Sequence, residues 1–494
     1  MKMLEEILSS GAGDAVTSVP ALLAGSWLLD GPTADRTGPY LRRVVSRTRV
    51  ANAGDVEVAA RFARTAAAAV AGLSPATRAE VLDRAARLAQ EHRDALGRLI
   101  ARELGKPVKD GRGEITRVAE TFSICAAEAR RIGGENLPVA GWARGAGNTA
   151  LTYHAPVGVA LAITPFNAPA NLLAHKLGAS FAAGNTTIVK SPPQAPATTA
   201  AVVALLLEAG APMSAVQLLH GGGDVGALLC AAPEVGVISF TGSAATGEAV
   251  ARAAGAKRLV LELGGNAATI VCEDADIGAA AATCARTGYT NSGQSCISVQ
   301  RVYVQRSRFD EFLQAFTAEV GALRVGDPMD PDTDVGSMVD EAAAQRVVDW
   351  TAQAVSDGAQ VLLGGTRDGA TATPTVLANP PATATAVTEE VFGALVSVLP
   401  FDDFDEVVTA CNNSRYGLQA GLFTRDIGRI VGAWRDLEVG SLIVNGSSNF
   451  RLDHLPFGGV KSSGFGRESP RWMIDDYTVI KTLVLRGMSV WGQG

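Results

Sequence analysis

The chain of 494 residues is long enough for two or three domains of about 100 to 200 residues each. A hydrophobic fraction of 47% and a charged fraction of 19% exclude an intrinsically disordered chain. Lys and Arg total 43 against 50 Asp and Glu, so the net charge of −7 leaves no cationic excess for binding nucleic acid.

The sequence carries no signal for export or membrane insertion. Glu5 and Glu6 stand where a secretory signal has cationic residues before an apolar run. The apolar stretches end before the roughly 18 to 20 residues needed to cross a bilayer. The six cysteines lie far apart without a CxxC pair, unlike a disulfide framework or a zinc ribbon. We therefore expect a cytoplasmic protein with no metal, no membrane partner and no nucleic-acid partner.

Helices are predicted first along the chain, and a parallel sheet after them. From residue 55 to about 132, apolar residues recur at three- and four-residue spacing, with a helix stop at Gly105. Short β-branched runs then alternate with Ala- and Leu-rich helical runs, which is typical of a parallel sheet with crossover helices. The predicted strands of this sheet span residues 157–163, 186–190, 216–219, 235–240 and 259–263.

A second series of strands and helices runs from about residue 268 to about residue 463 and predicts a second α/β unit. Two further segments, 143–153 and 477–485, read as exposed strands. Because exposed strand edges generally need covering, these two segments predict contacts with another subunit.

Two polar side chains follow predicted strands at the edge of the sheet where ligands bind. Asn167 lies between Pro165 and Pro169, and a rigid amide there can donate a hydrogen bond to a developing oxyanion. The alternative interpretation is that the Asn167 side chain only caps a turn. Lys190 ends the next strand and brings a cation to the same edge, unless it is simply solvated.

A phosphate-binding turn is predicted at residues 240–247, FTGSAATG. A strand, a Gly-Ser pair and a helix in succession offer backbone N–H groups and a helix N-terminus to a phosphate. The full GxGxxG spacing of the common dinucleotide motif is absent.

A carboxylate and a thiol complete the set of candidate reactive groups. Glu262 stands inside an apolar strand just before Gly264 and Gly265, and burial there raises the pKa of a carboxyl group toward the range useful for a general base. Cys296 follows a flexible polar loop, NSGQS, where an exposed thiol is a candidate nucleophile. For any single cysteine the alternative is a small buried hydrophobe.

The order Asn, Lys, Gly-Ser, Glu, Cys resembles the aldehyde dehydrogenase superfamily, and the separation of 34 residues between Glu262 and Cys296 fits it. Further matches are residues 389–393, EEVFG, and 456–464, PFGGVKSSG, so the resemblance spans roughly residues 27 to 485. It implies an α/β fold with a Rossmann-like parallel-sheet cofactor domain, an α/β catalytic domain and a β-arm for oligomerisation. On this basis residues 1–135 and 157–262 form the cofactor domain, 263–473 the catalytic domain, and 136–156 with 474–494 the oligomerisation arm.

The resemblance implies NAD(P)-dependent oxidation of an aldehyde to the carboxylic acid. Cys296 matches the nucleophile, and the Asn167 side chain with the backbone N–H of Cys296 matches the oxyanion hole. Hydride passes to the nicotinamide, and Glu262 matches the base that activates water to hydrolyse the thioester.

The resemblance also implies a cofactor site. Ser243 matches the pyrophosphate contact, Lys190 the adenosine-side ribose contact, and Glu390 with Phe392 the nicotinamide-side ribose contacts. The complete set of predicted cofactor contacts is Ile163, Thr164, Pro165, Phe166, Lys190, Pro193, Gly223, Phe240, Thr241, Gly242, Ser243, Leu263, Gly264, Glu390 and Phe392.

Three positions depart from the family pattern, one of which, Ala394 in place of the Pro that usually follows Phe-Gly, is expected to be tolerated. NAD-preferring members usually carry a Glu three residues after the Lys, where this chain has Pro193; without that carboxylate NADP becomes acceptable, so the cofactor is NADP or NAD. The residue before the Cys is Arg in relatives that act on phosphorylated or phosphonylated aldehydes, but it is Ser295 here, so one anion anchor is missing.

The predicted substrate tunnel is wide and polar. Asn171 and His175 stand where relatives acting on fatty or aromatic aldehydes favour bulky aromatics. Arg451 is a candidate partner for a substrate carboxylate or phosphonate, and a structural ion pair with Asp453 is the alternative. Together with Ser295 and Phe457, these residues are the predicted substrate contacts, and the predicted substrate is a small polar aldehyde.

Two alternative functions are compatible with the same fold. A CoA-acylating dehydrogenase resolves the thioester with CoA, but such relatives generally lack the water-activating Glu, and Glu262 is present. A catalytically silent binding or structural protein on the same fold would have no need to keep all five chemical positions filled. The resemblance also predicts a homodimer or homotetramer.

Overall fold

The structure is a computed structural model that describes residues 2–10 and 15–488. The last part of the predicted oligomerisation arm, residues 489–494, lies outside the described residues.

A block of four helices precedes the parallel strands of the main sheet. Asn52 begins the first helix with a reciprocal pair of hydrogen bonds to Asp55, and Gly105 ends the third with a left-handed φ of 70°. The predicted helix stop at Gly105 is therefore confirmed. The four helices are Ala53–Ala71, Pro75–Glu91, Arg93–Leu104 and Val108–Ala129.

The first sheet has eight strands, and its five central strands are parallel, as predicted. In spatial order the strands are Gly464–Phe465, Arg258–Glu262, Val237–Thr241, Val159–Ile163, Thr186–Lys190, Val216–Leu219, Ala21–Leu23 and Ser26–Leu28. The predicted strands differ from these by at most two residues at either end, while the two- and three-residue strands at the sheet edges were too short to show a pattern.

Helices cover both faces of this sheet. On the strand Val159–Ile163, Ala160 and Ala162 join one apolar core, whereas Leu161 and Ile163 join another. Because successive strand residues point to opposite faces, this run is apolar throughout rather than alternating. The crossover helices are Pro169–Ala183, Pro196–Glu208, Gly223–Ala231 and Ala244–Ala254.

The register of the parallel strands brings their carboxyl ends level. Ile163 pairs with both Lys190 and Phe240, and Thr241 pairs with Glu262. The segments that follow these strands therefore meet at one edge of the sheet, the position expected for a ligand site in an open α/β fold.

The second sheet has seven strands, with one antiparallel strand at its edge. In spatial order they are Gln360–Leu363, Thr375–Ala378, Leu395–Phe401, Arg301–Gln305, Ala268–Val271, Gln419–Phe423 and Ser441–Val444. Its main helices are Ile277–Tyr289, Phe309–Gly321, Glu341–Ser356, Phe404–Asn412 and Ile427–Asp436. The second predicted α/β unit is thus present, and the segment that carries Cys296 lies between one of its helices and its strand Arg301–Gln305.

A third, antiparallel sheet joins two distant parts of the chain. Strand Thr478–Leu485 pairs along its whole length with Thr149–Pro156, which pairs with the short strand Asn136–Leu137. The prediction of a strand from residue 143 is wrong at its start, because Ala143–Gly145 forms a single 3₁₀ turn and the strand begins at Thr149.

Several short elements complete the fold. They are the helices Lys2–Ser10, Thr385–Thr388 and Pro470–Asp476, and the strands Thr17–Val19, Thr33–Gly38, Arg43–Arg49, Arg367–Asp368, Thr371–Ala372, Tyr416–Gly417 and Val460–Lys461. Within the described residues, none of the helices combines the length and apolar character needed to cross a membrane. The domain boundaries given above stay predictions.

Candidate active site

A cavity of about 1130 Å³ opens at the carboxyl edge of the first sheet and is bordered on the other side by residues of the second α/β unit. It brings together residues that lie far apart in the sequence, from Arg117 to Glu468. All fifteen predicted cofactor contacts line it, as do Asn167, Glu262, Cys296, Asn171, Ser295, Arg451 and Phe457.

The loop before Cys296 is held in a strained conformation. Asn291, Ser292 and Gly293 all have left-handed φ values, 53°, 55° and 73°, which costs about 1 to 3 kcal/mol for each residue other than glycine. The loop is tied down by hydrogen bonds from Ser292 Oγ to the carbonyl of Gly336 and from the N–H of Val339 to Gln294 Oε1, at 3.0 and 2.9 Å. The expectation of a flexible loop is therefore wrong, because these contacts with the neighbouring segment fix it.

Cys296 is partly exposed to the cavity, whereas the other five cysteines are buried. Burial of the sulfur raises the pKa of the Cys296 thiol to about 12, and the negative charge of Glu390 adds to this effect. The resting thiol is therefore protonated and needs a base before it can act as a nucleophile.

Glu262 lies on the same cavity and is only 3% exposed. Neither of its carboxylate oxygens has a hydrogen-bond partner among the described residues. Burial raises the pKa of this carboxyl group well above its ordinary value, and the nearby charge of Glu468 raises it further. A carboxyl group in this state is free to exchange a proton with a ligand or a water molecule.

The Asn167 side chain is oriented by the loop that precedes Cys296. Its Nδ2 donates to the backbone carbonyl of Gln294 at 3.0 Å. Because an amide nitrogen carries two hydrogens, the second N–H remains for a group in the cavity. The backbone carbonyl of Asn167 accepts from Lys106 Nζ at 2.6 Å and from Asn291 Nδ2 at 3.1 Å.

The other end of the cavity fits a dinucleotide. The buried hydroxyls of Thr164 and Thr241 have no partner anywhere in residues 2–10 and 15–488, and both residues line the cavity. A Cβ on Gly242 would overlap the ring of Phe240, and a Cβ on Gly264 would overlap the carboxylate of Glu390. Glycine is therefore needed at both positions, because a larger residue would collide with these cavity-lining side chains.

A helix N-terminus borders the same end of the cavity. Ser243 caps the helix Ala244–Ala254 by accepting from the N–H of Thr246 at 3.3 Å. The exposed N–H groups and the helix dipole at this end favour an anion such as a pyrophosphate.

Of two charged residues of the predicted cofactor site, Lys190 is buried and Glu390 is partly buried. Lys190 is 7% exposed, and burial lowers its pKa to about 8, against an opposing effect of Asp224. The alternative of a solvated lysine is therefore wrong. Glu390 accepts from the N–H of Gly265 at 2.9 Å, and burial raises its pKa to about 7. Phe392 meets the edge of Phe166, with ring centroids 5.8 Å apart.

A cluster of charged side chains, most of them buried, borders the cavity beside Glu262. Asp453 accepts two hydrogen bonds from Arg117, at 3.0 and 2.6 Å, and one from Asn171 at 3.3 Å. Arg451 donates to Glu468 at 2.8 Å and lies 4.0 Å from the centroid of the Phe457 ring. Arg451 thus forms a structural ion pair, the alternative to a role in binding the substrate. Glu468 is its nearer partner, and Asp453 lies at 3.7 Å.

His175 does not line the cavity, which corrects its prediction as a substrate contact. The side chain is fully buried, and its Nε2 lies 2.9 Å from the Asp453 carboxylate. Burial, with the nearby charge of Arg451, lowers its pKa, so the ring is neutral. Asp453, which lies 278 residues further along the chain, holds this ring away from the cavity.

Some residues of the site have no sequence signal that would have identified them. Arg117 lies in the middle of the helix Val108–Ala129 without a motif, and Glu468 follows the recognised C-terminal motif. Both line the cavity, as do Arg346 and Trp350 at its cofactor end. No cluster of three or more His, Cys, Asp or Glu side chains suited to a metal ion occurs in the part of the chain that the structure describes.

Comparison with known proteins identifies the family. The sequence profile of the Aldehyde dehydrogenase family matches residues 28–483. The chain is 40% identical over 462 residues to a 3-sulfolactaldehyde dehydrogenase of Priestia megaterium, covering 93% of this chain and 96% of the relative.

Solved structures agree with this match. Aldehyde dehydrogenase 21 from Physcomitrella patens in complex with the reaction product succinate has a TM-score of 0.92 and 34% identity, covering 96% of this chain and 99% of that one. The NADP-dependent glyceraldehyde-3-phosphate dehydrogenase from Bacillus halodurans complexed with NADP has a TM-score of 0.92 and 32% identity, covering 95% and 99%.

The chain belongs to the aldehyde dehydrogenase family. It is an NAD(P)-dependent oxidoreductase that converts an aldehyde to the carboxylic acid, which confirms the function and the fold predicted from its motifs.

Proposed function

We propose that Cys296, Asn167 and Glu262 carry out this oxidation through a covalent thioester. Sγ of Cys296 bonds to the aldehyde carbon, and its proton passes to Glu262 or to solvent. The carbonyl oxygen becomes an oxyanion that accepts from the second N–H of Asn167 Nδ2 and from the N–H of Cys296. The hydride then leaves the carbon with its electron pair, so the carbonyl forms again as a thioester.

Hydrolysis of the thioester restores the enzyme. Glu262 takes a proton from a water molecule while the oxygen of that water bonds to the thioester carbon, and the C–S bond breaks. The carboxylic acid leaves and the sulfur regains a proton. The observation that carries this proposal is the buried Glu262 carboxyl group, which lines the cavity together with Cys296 and has no partner among the described residues.

The cofactor in this scheme is NADP or NAD. Its nicotinamide, when bound, accepts the hydride. Ser243 and the helix that it caps suit the pyrophosphate, Lys190 the adenosine ribose, and Glu390 with Phe392 the nicotinamide ribose. Because Pro193 brings no carboxylate to the Lys190 side of the cavity, we propose that NADP is used at least as well as NAD.

A panel of small aldehydes, assayed for NAD(P)H absorbance with and without CoA, tests the reaction. Turnover without CoA, with a free acid as the product, supports the hydrolytic enzyme. Turnover that needs CoA identifies an acylating dehydrogenase, and no turnover with any aldehyde would contradict the proposed chemistry.

We further propose that the substrate is a small aldehyde with an anionic group at its far end. In the described part of the chain, the cluster of charged side chains beside Glu262 has three cations, Arg117, Lys176 and Arg451, and two carboxylates, Asp453 and Glu468. Lys176 and Arg451, against the opposing effect of burial, hold the pKa of Glu468 below its usual range. The cluster therefore has one more cation than it has carboxylates.

Arg117 is the residue best placed to receive that anion. It lines the cavity, and its side chain keeps 36% exposure although Asp453 occupies two of its five N–H donors. Known relatives add support, because 3-sulfolactaldehyde, succinate and glyceraldehyde 3-phosphate each carry an anionic group.

Two aldehydes of equal chain length, 4-oxobutanoate and butanal, test the substrate class. One charged hydrogen bond is worth about 1.5 to 3 kcal/mol, so kcat/KM for the anion should exceed that for butanal by about tenfold to a hundredfold. Arg117→Met should remove most of this preference. Arg112→Met is the matched control, because Arg112 lies on the same helix and does not line the cavity. Equal use of the two aldehydes by the unmodified enzyme would contradict the proposed substrate class.

We also propose that the protein is a cytoplasmic homodimer or homotetramer. A reducing compartment suits a reactive thiol at Cys296. The third sheet exposes the large side chains of Tyr153, Ile480 and Leu483, which another subunit would cover. Light scattering should give a mass of two or four chains, and Ile480→Lys should lower it. A monomer at assay concentration would contradict this assembly.

A further inference from the structure

A buried ion pair lies directly behind the oxyanion site, outside the cavity lining. Lys106 Nζ is 2.6 Å from Glu114 Oε2, and the two side chains are 5% and 4% exposed. Replacing a buried ion pair with well-packed apolar residues is often neutral or stabilising, so stability alone does not explain such a pair.

Lys106 holds the backbone of Asn167. Its Nζ donates to the Asn167 carbonyl at 2.6 Å, and Asn291 Nδ2 donates to the same oxygen at 3.1 Å. This single carbonyl thus joins the segment before the helix Val108–Ala129 to the strained loop that carries Cys296.

Glu114 holds the chain just after Asn167. Its Oε1 accepts from the N–H groups of Ala170 and Asn171, at 2.8 and 3.2 Å. These are the first N–H groups of the helix Pro169–Ala183, whose N-cap residue Ala168 offers no side-chain acceptor. Glu114 therefore replaces the missing cap from another helix, and its second oxygen anchors Lys106.

The pair consequently fixes the Asn167 carbonyl and the backbone that follows it. An oxyanion donor must lie about 2.7 to 3.1 Å from the charge that develops, and a displacement of about 1 Å can cost a hundredfold in rate. We propose that Lys106 and Glu114 are positioning residues that hold the Asn167 amide in the geometry of the transition state. This inference rests on the oxyanion role proposed for Asn167.

The substitution Glu114→Gln tests the inference. It keeps an oxygen that can accept from the helix N–H groups but removes the charge that anchors Lys106. We expect kcat for aldehyde oxidation to fall about tenfold to a hundredfold while KM stays within about twofold. Alkylation of Cys296 by iodoacetamide should keep its rate, because displacement of iodide develops no oxyanion.

The matched control is Asp55→Asn. Asp55 is also a buried acid that pairs with an arginine, Arg49, at 2.8 Å and accepts from a backbone N–H at a helix N-terminus, that of Asn52. Neither Asp55 nor Arg49 lines the cavity. Asp55→Asn should therefore lower the melting temperature without changing kcat.

If Glu114→Gln does not fold, the double variant Lys106→Met/Glu114→Gln, which leaves no unpaired buried charge, should show the same loss of kcat. A folded variant that keeps kcat within twofold overturns the inference. A folded variant in which KM rises while kcat and the alkylation rate both fall also overturns it. Asn167→Ala separates the two claims. If Asn167→Ala lowers kcat and Glu114→Gln does not, only the positioning role fails; if Asn167→Ala keeps kcat, the proposed oxyanion hole fails with it.

Discussion

Replacing Glu262 by Gln should remove the general base without disturbing its surroundings. Neither carboxylate oxygen makes a hydrogen bond with another described residue, so the amide breaks none that the structure contains. The group is buried and its pKa is raised, so a neutral amide of the same shape is no harder to bury than the acid. We therefore expect no loss in the free energy of unfolding.

The two chemical steps should respond differently to this substitution. The Cys296 thiol, with a pKa of about 12, can still lose its proton to solvent, whereas water, with a pKa of about 15.7, cannot. A positioned base contributes about 10²- to 10⁴-fold, so hydrolysis should slow by that factor while the thioester still forms.

Rapid mixing with aldehyde and NAD(P) measures this difference. NAD(P)H absorbance should rise in a burst of about one equivalent per active site and then almost stop. Glu103→Gln is the control for the loss of a buried carboxyl group outside the cavity, because burial also raises the pKa of Glu103. Unlike Glu262, Glu103 accepts hydrogen bonds from Ser46, Ala197 and Thr198, so this control can lose stability but should keep its rate. A steady-state rate in Glu262→Gln equal to that of the unmodified enzyme would refute the role of Glu262.

Three further outcomes are expected. Cys296→Ala should abolish oxidation while cofactor binding persists. In the unmodified enzyme, iodoacetamide should label Cys296 before the buried Cys284 and Cys411. Labelling in the opposite order, with activity retained in the variant, would contradict the assignment of Cys296 as the nucleophile. Pro193→Glu should shift the ratio of kcat/KM values toward NAD by roughly tenfold or more, because a charged hydrogen bond is worth about 1.5 to 3 kcal/mol; a large preference for NAD in the unmodified enzyme would oppose this account. Glu262 acts as a base only after losing its proton, and its pKa is raised, so kcat should rise with pH above the ordinary Glu pKa of about 4.3. This rise of kcat with pH should be absent in Glu262→Gln. If the rise remains in the variant, another group is responsible for it.

The reactive residues could be predicted because each belongs to a local pattern. Asn167, Glu262 and Cys296 stand at strand ends or in loops whose neighbours in sequence are distinctive. The parallel strands then bring these ends to one edge, so the sequence predicts both the groups and their convergence.

The charged cluster could not be predicted because its contacts join distant residues. Arg117 and Asp453 are 336 residues apart, and Lys176 and Glu468 are 292 apart. His175 lies four residues after Asn171, which places the two on one face of a helix. That helix is buried on every side, so no polar stripe indicates which of its residues faces the cavity.

The central claim is that the aldehyde carbon becomes bonded to Cys296. The most direct measurement is the mass of the Cys296 peptide from Glu262→Gln, quenched in acid after mixing with 4-oxobutanoate and NAD(P). We expect this peptide to gain the mass of the acyl group and the other cysteine peptides to stay unmodified. An unmodified Cys296 peptide after a full burst of NAD(P)H, or an acyl group on another residue, would contradict it.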